Sequence, residues 1–104
     1  NVYLSPAERA QATSLKQALD LARDRILAGE RGALDIEARM RREIERLAPL
    51  GRIDYVTIAD PDTLQPIAGL IEGDALIALA VYFGSTRLID NMRVVLEHGR
   101  PRFL

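Results

Sequence analysis

Side chains able to do chemistry are few in this chain, and they are scattered. One histidine, His98, stands beside Gly99 near the end. A single imidazole cannot assemble a metal site without partners, and no Ser-His-Asp order is readable around it. Asp60 and Asp62 flank Pro61 in "ADPDTL". Two carboxylates that close can hold a cation, but Asp-Pro-Asp is first of all turn chemistry. The glycines form neither G-x-x-x-x-G-K nor G-x-G-x-x-G, so no phosphate cradle can be read. The chain has no cysteine, which excludes disulfides, thiolate zinc sites and thiol nucleophiles.

The remaining cluster is "FGSTRLIDN", residues 83–91, where Arg87, Asp90 and Asn91 interleave with apolar residues. Gly84-Ser85 suits a two-residue type II′ turn with glycine first. That register pairs Phe83 with Thr86, Tyr82 with Arg87, Val81 with Leu88, Ala80 with Ile89 and Leu79 with Asp90. One face then carries the bulky set, Phe83, Val81, Leu79 and Leu88, and belongs under helices. Asp90 falls on that face and needs hydrogen-bond donors there. The other face carries Tyr82, Ala80, Ala78, Arg87 and Ile89. It reads either as a solvated sheet face or as a docking face, with Tyr82 and Arg87 at its edge as the contact residues.

The elements that must position these residues follow from periodicity. "SPAE" announces the first helix, with Ser5 as cap, Pro6 at the first helical position and Glu8 completing a capping box. Leu15, Ala18, Leu19, Ala22 and Ile26 form its apolar stripe, and Gly29 stops it. A second helix runs over 33–47 with the stripe Ile36, Met40, Ile44 and Leu47. Its "RMRREIER" alternates charge, and Asp35–Arg39, Glu37–Arg41, Arg39–Glu43 and Arg41–Glu45 are opposite charges four apart, the pattern of a solvated face. "RIDYVTIAD" and the apolar "ALIALAVYF" read as strands, and "PDTLQPIAG" as a loop. The expectation is an α+β fold: two N-terminal helices, over 6–28 and 33–47, on a small three-stranded antiparallel sheet. Its strands lie over 53–60, 75–83 and 87–92, and the last two make a C-terminal β-hairpin. Residues 92–104 are expected to be a flexible tail.

The 104 residues make one domain, 1–104, with 48% hydrophobic and 28% charged residues, the composition of a folded globular chain. A net charge of −1 and 5% aromatics offer neither the field nor the stacking platform for nucleic acid. No apolar run approaches the ~20 residues of a membrane span. The absence of cysteine fits a cytoplasmic setting. The chain opens on Asn1 rather than methionine, which suggests a piece of something longer.

"NVYLSPAER", "DYVTIADPDTL" and "FGSTRLIDN", in this order and at these separations, closely resemble the C-terminal domain of the pantoate–β-alanine ligase (pantothenate synthetase) family. The resemblance reaches about Asn91. It implies an ATP-dependent ligase that activates pantoate as an acyl-adenylate, releases pyrophosphate and passes the acyl group to β-alanine. ATP and Mg²⁺ would be cofactors of the full-length enzyme, with none on this domain alone. The family carries its paired-histidine motif in an N-terminal nucleotide-binding domain, and a Ser-Ser-Arg segment directly precedes the asparagine matching Asn1. This chain would therefore hold no catalytic, ATP-binding or metal residues of its own, and the isolated domain would be inactive. Its role would be a lid that excludes water from the adenylate. The implied partners are the missing N-terminal domain, docked through Tyr82 and Arg87, and a second subunit in a homodimer. The alternative is an autonomous α+β interaction or oligomerisation module without catalysis.

Overall fold

The computed structural model describes residues 4–104, so Asn1 lies outside the described residues. The capping box is present. Ser5 Oγ accepts from the Glu8 amide at 3.1 Å, and Glu8 Oε1 accepts from the Ser5 amide at 2.9 Å. It starts α1 (Pro6–Ala12), which a turn at Thr13 separates from α2 (Ser14–Leu27). The expected first helix thus forms with one interruption. Leu15, Ala18, Leu19, Ala22 and Ile26 are all buried along α2. In α3 (Ala33–Leu47) the stripe Ile36, Met40 and Ile44 is buried, joined by Ala33, while Leu47 is only half-buried.

A single antiparallel sheet follows in the order β1 (Gly51–Ala59), β2 (Ala75–Phe83), β3 (Thr86–Glu97) and β4 (Arg100–Phe103). Each cross-strand pair foreseen for β2 and β3 is formed, from Phe83–Thr86 to Leu79–Asp90. Gly84 has φ 62°, the left-handed value that the first turn position requires and that glycine adopts without a Cβ penalty. Helices cover one sheet face, α2 over β2, β3 and β4, and α3 over β1. Phe83, Val81, Leu79, Ile77 and Val94 meet the helix stripes there with 1% exposure or less.

Two expectations are corrected. The sheet has four strands, not three, and the segment 92–104 is not a loose tail but the end of β3 and all of β4. The cause is "EHGR". His98 and Gly99 both take positive φ, 54° and 77°, which makes a two-residue turn of the type whose twist suits a hairpin. Histidine tolerates that region better than most residues. Val94 then enters the core, and Leu96 and Phe103 pack against it. Burying them offsets the entropy of ordering the last residues.

The charges of α3 also differ from expectation. Among the described residues, none of the four i,i+4 pairs forms. Glu43 binds Arg46, and Glu30 binds Arg25 and Arg39. Glu37 and Arg41 reach the sheet instead. Glu37 Oε2 accepts from the Ile58 amide at 2.9 Å, and an Arg41 Nη donates to the Val56 carbonyl at 3.5 Å. Val56 and Ile58 turn these groups away from β2, because β1 is an edge strand. The helix side chains supply the partners that a fifth strand would otherwise provide.

Candidate functional site

The sheet face turned away from the helices is the surface where polar and aromatic side chains gather. Arg52, Tyr82 and Arg87 occupy paired positions across β1, β2 and β3, so they form one row. Next to it the β1 register slips between Ile53 and Tyr55, leaving Asp54 as the extra residue of a β-bulge. A bulge breaks the alternation of side chains. It sets both Asp54 and Tyr55 beside the row.

The geometry is close. The Arg52 guanidinium lies 4.6 Å from the centroid of the Tyr82 ring, and that of Arg87 lies 6.0 Å from Tyr82 and 5.7 Å from Tyr55. These separations place the cations over negative ring faces. Asp54 Oδ2 accepts from Arg87 Nε at 3.0 Å and from Nη2 at 2.8 Å. That hydrogen bond, with the charge of Asp54, raises the Arg87 pKa above its usual value. Both side chains keep over a third of their surface in water, 39% and 37%, so the pair orients Arg87 more than it stabilises the fold. Ala80 lies at the centre of the face, and Ile89 stands beside it 57% exposed.

Tyr82 and Arg87 therefore do lie together on this face, as the hairpin register implied. Sequence reasoning missed Asp54 and Arg52. A signal was available for the bulge: Ile53 is followed by Val56 and then Ile58, and the three-residue step breaks period two.

Other candidates have plain structural roles. Asp60 Oδ1 accepts from the Asp62 and Thr63 amides at 2.8 and 3.0 Å, so "ADPDTL" is a turn held by its own carboxylate. Those two amides hold the Asp60 pKa below its ordinary value. His98 shapes the β3–β4 turn. Asp90 lies half-buried on the helix side and accepts from the Asn91 amide at 2.8 Å. It borders a hollow of about 270 Å³ walled by Lys16, Leu19, Asp20 and Arg23 of α2 together with Met92, Phe103 and Leu104. A groove between α2 and α3 gathers Arg25, Arg39, Arg42 and Arg46, but Glu30 and Glu43 already bind three of them. Among the described residues, no three His, Asp or Glu side chains converge as metal ligands.

This geometry coincides with extensive similarity to known proteins. The pantoate-beta-alanine ligase family model matches residues 1–93. The chain is 53% identical over 97 residues to a pantothenate synthetase of Moorella thermoacetica, covering 93% of this chain and 33% of that protein. It is 43% identical over 98 residues to one of Chloroherpeton thalassium, covering 92% of this chain and 34% of that protein. A crystal structure of pantothenate synthetase from Thermus thermophilus superposes with a TM-score of 0.74 at 37% identity, over 88% of this chain and 32% of that one. The chain thus spans about a third of the length of the curated relatives it matches.

Proposed function

Because the chain belongs to the pantoate-beta-alanine ligase family, we propose that it is the C-terminal lid of such a ligase and is inactive alone. One observation carries the reading. A chain matched by the family over 1–93 spans a third of its relatives, and its sheet leaves one face bare of helices, with an ordered row of Arg and Tyr across it. Arginine and tyrosine are residues that a protein contact surface favours.

In this reading the binding of ATP and Mg²⁺, which would convert the pantoate carboxylate into an activated acyl donor, belongs to the rest of the ligase. This chain contributes a rigid cover. Its apolar core joins the sheet to both helices, so the face moves as one body and can shut water away from a hydrolysable intermediate. Arg52, Tyr82 and Arg87 meet the neighbouring domain, with Asp54 and Tyr55 fixing the Arg87 fork. The setting proposed is cytoplasmic.

The test is pyrophosphate release with pantoate, ATP, Mg²⁺ and β-alanine. The chain alone is expected to match a no-protein blank. Added to the N-terminal part of the Moorella relative, it is expected to restore turnover, and Tyr82→Ala with Arg87→Ala should weaken that rescue. Turnover by the chain alone would overturn the proposal, as would the absence of rescue at saturating concentrations of a folded chain.

A further inference from the structure

The helix-free face of the sheet is charged at its margins and apolar at its centre. The β3 side chains that leave the helix side are Arg87, Ile89, Asn91, Arg93, Val95 and Glu97, in strict alternation. Pairing across the strands carries the same face to Arg52 and Tyr82 at one end. At the other end it reaches Arg102 opposite Val95 and Arg100 opposite Glu97. Between these margins lie Ala78, Ala80 and the 57% exposed Ile89.

Three of the arginines already hold a carboxylate. Arg87 meets Asp54 at 2.8 Å, Arg93 meets Asp74 at 3.8 Å and Arg102 meets Glu97 at 2.7 Å. Arg52 and Arg100 are exposed and have no ion pair among the described residues. Residues 1–3, Asn-Val-Tyr, carry no carboxylate side chain that could supply one. The two unmatched cations stand at opposite corners, Arg52 on β1 near the β2–β3 turn and Arg100 on β4 beside the β3–β4 turn. The whole chain carries a net charge of −1, so the excess of cations belongs to this face and not to the composition.

A guanidinium without a counter-charge is a seat for a carboxylate, which it can bind through two parallel hydrogen bonds. Arg52 is already held 4.6 Å from the Tyr82 ring centroid, so it loses little freedom when an anion binds. A second copy is a poor occupant, because this face laid on itself turns arginine toward arginine. Strands about 4.8 Å apart and the length of β3 from Arg87 to Glu97 give a face of roughly 500 Å². That is the size of one side of an inter-domain contact.

We propose that this face docks an acidic surface of the rest of the ligase. Carboxylates seat on Arg52 and Arg100 at the two corners, and Ile89 with the alanines makes the apolar centre. The inference rests on the lid reading and adds the chemistry of the partner to it.

The test adds the 104-residue chain to the N-terminal part of the Moorella relative and finds the chain concentration that gives half-maximal pyrophosphate release. That concentration is expected to rise with salt, because opposite charges are screened. Arg52→Glu and Arg100→Glu should each raise it roughly tenfold at low salt, and less at high salt. Arg42→Glu makes the same charge change at an exposed position of α3, away from this face, and should stay within about twofold. Circular dichroism checks that the variants fold, and if one corner variant does not, the other decides. Rescue that a folded corner variant leaves intact, or that Arg42→Glu weakens equally, overturns the acidic partner while the lid reading stands. No rescue by the folded, unsubstituted chain overturns both together. Tight binding of a labelled single-stranded oligonucleotide by the chain alone, lost in Arg52→Glu, would assign the arginines to nucleic acid and overturn the proposal.

Discussion

Replacing Glu37 with alanine tests how the first edge of the sheet is closed. Ile58 is fully buried, and its amide points away from β2 toward α3, where Glu37 Oε2 accepts it at 2.9 Å. Ile67 donates to the Ile58 carbonyl at 2.8 Å, so Glu37 is the recorded acceptor for the Ile58 amide. Glu37→Ala therefore strands a buried donor, at about 1–3 kcal/mol. A domain of about this size loses roughly 4–5 °C of midpoint per kcal/mol, so the melting temperature should fall by roughly 5–15 °C.

Thermal and urea unfolding followed by circular dichroism would read the change. Glu37→Gln keeps an oxygen able to accept and should recover most of the loss. Glu45→Ala, exposed on the same helix, should change little. If Glu37→Ala melts with the unsubstituted chain, the amide has another partner and the edge is closed in some other way. If Gln falls as far as Ala, the charge rather than the accepting oxygen matters.

Other outcomes follow from single positions. Asp60 has a folded pKa below its ordinary 3.8; its stabilisation is present above that value and lost as pH falls through the lower folded one. An NMR titration should show Asp60 protonating after an unperturbed aspartate, and Asp60→Asn should remove this part of the acid sensitivity. Arg87→Ala should leave the melting temperature nearly unchanged, because its partner Asp54 is solvent-exposed, and should act only on rescue of ligase turnover. Asp90→Ala should cost less than about 1 kcal/mol of stability, because the Asn91 amide it releases belongs to a solvent-exposed residue. Gly84→Ala should cost about 1 kcal/mol or more by forcing an L-residue to φ near 62°.

What could be read from the sequence was whatever depends on neighbours in the chain. Gly84-Ser85 fixes a turn, a turn fixes a register, and the register assigns every side chain of β2 and β3 to a face. The stripes of α2 and α3 were legible for the same reason. The β3–β4 hairpin could have been read from His98-Gly99 flanked by Leu96 and Phe103, but a His-Gly turn is a weaker mark than Asn-Gly. Glu37 and Arg41 were opaque in another way. Four apart on a helix, they satisfy each other on paper, and nothing local reveals that they reach a strand edge 21 and 15 residues away. The Arg87 partner, Asp54, depends on a bulge on a strand that β3 does not touch.

The distribution of these side chains bears on how the chain meets a partner. Glu37, Arg41 and the Pro66–Ile67 segment occupy the outer edge of β1. At the other end, Pro101 removes an amide from β4, and Arg100 and Arg102 flank it, a combination that discourages strand addition. The helix side is filled by α2 and α3. Among the described residues, the flat face of Arg52, Tyr55, Tyr82 and Arg87 has no helix or strand set against approach. A neighbouring domain would therefore meet this sheet face to face rather than by extending it. Such a contact rests on side chains alone, without a ladder of backbone hydrogen bonds to break. In the proposed lid role it could form and release while the fold stays intact, as a closing and reopening cover requires.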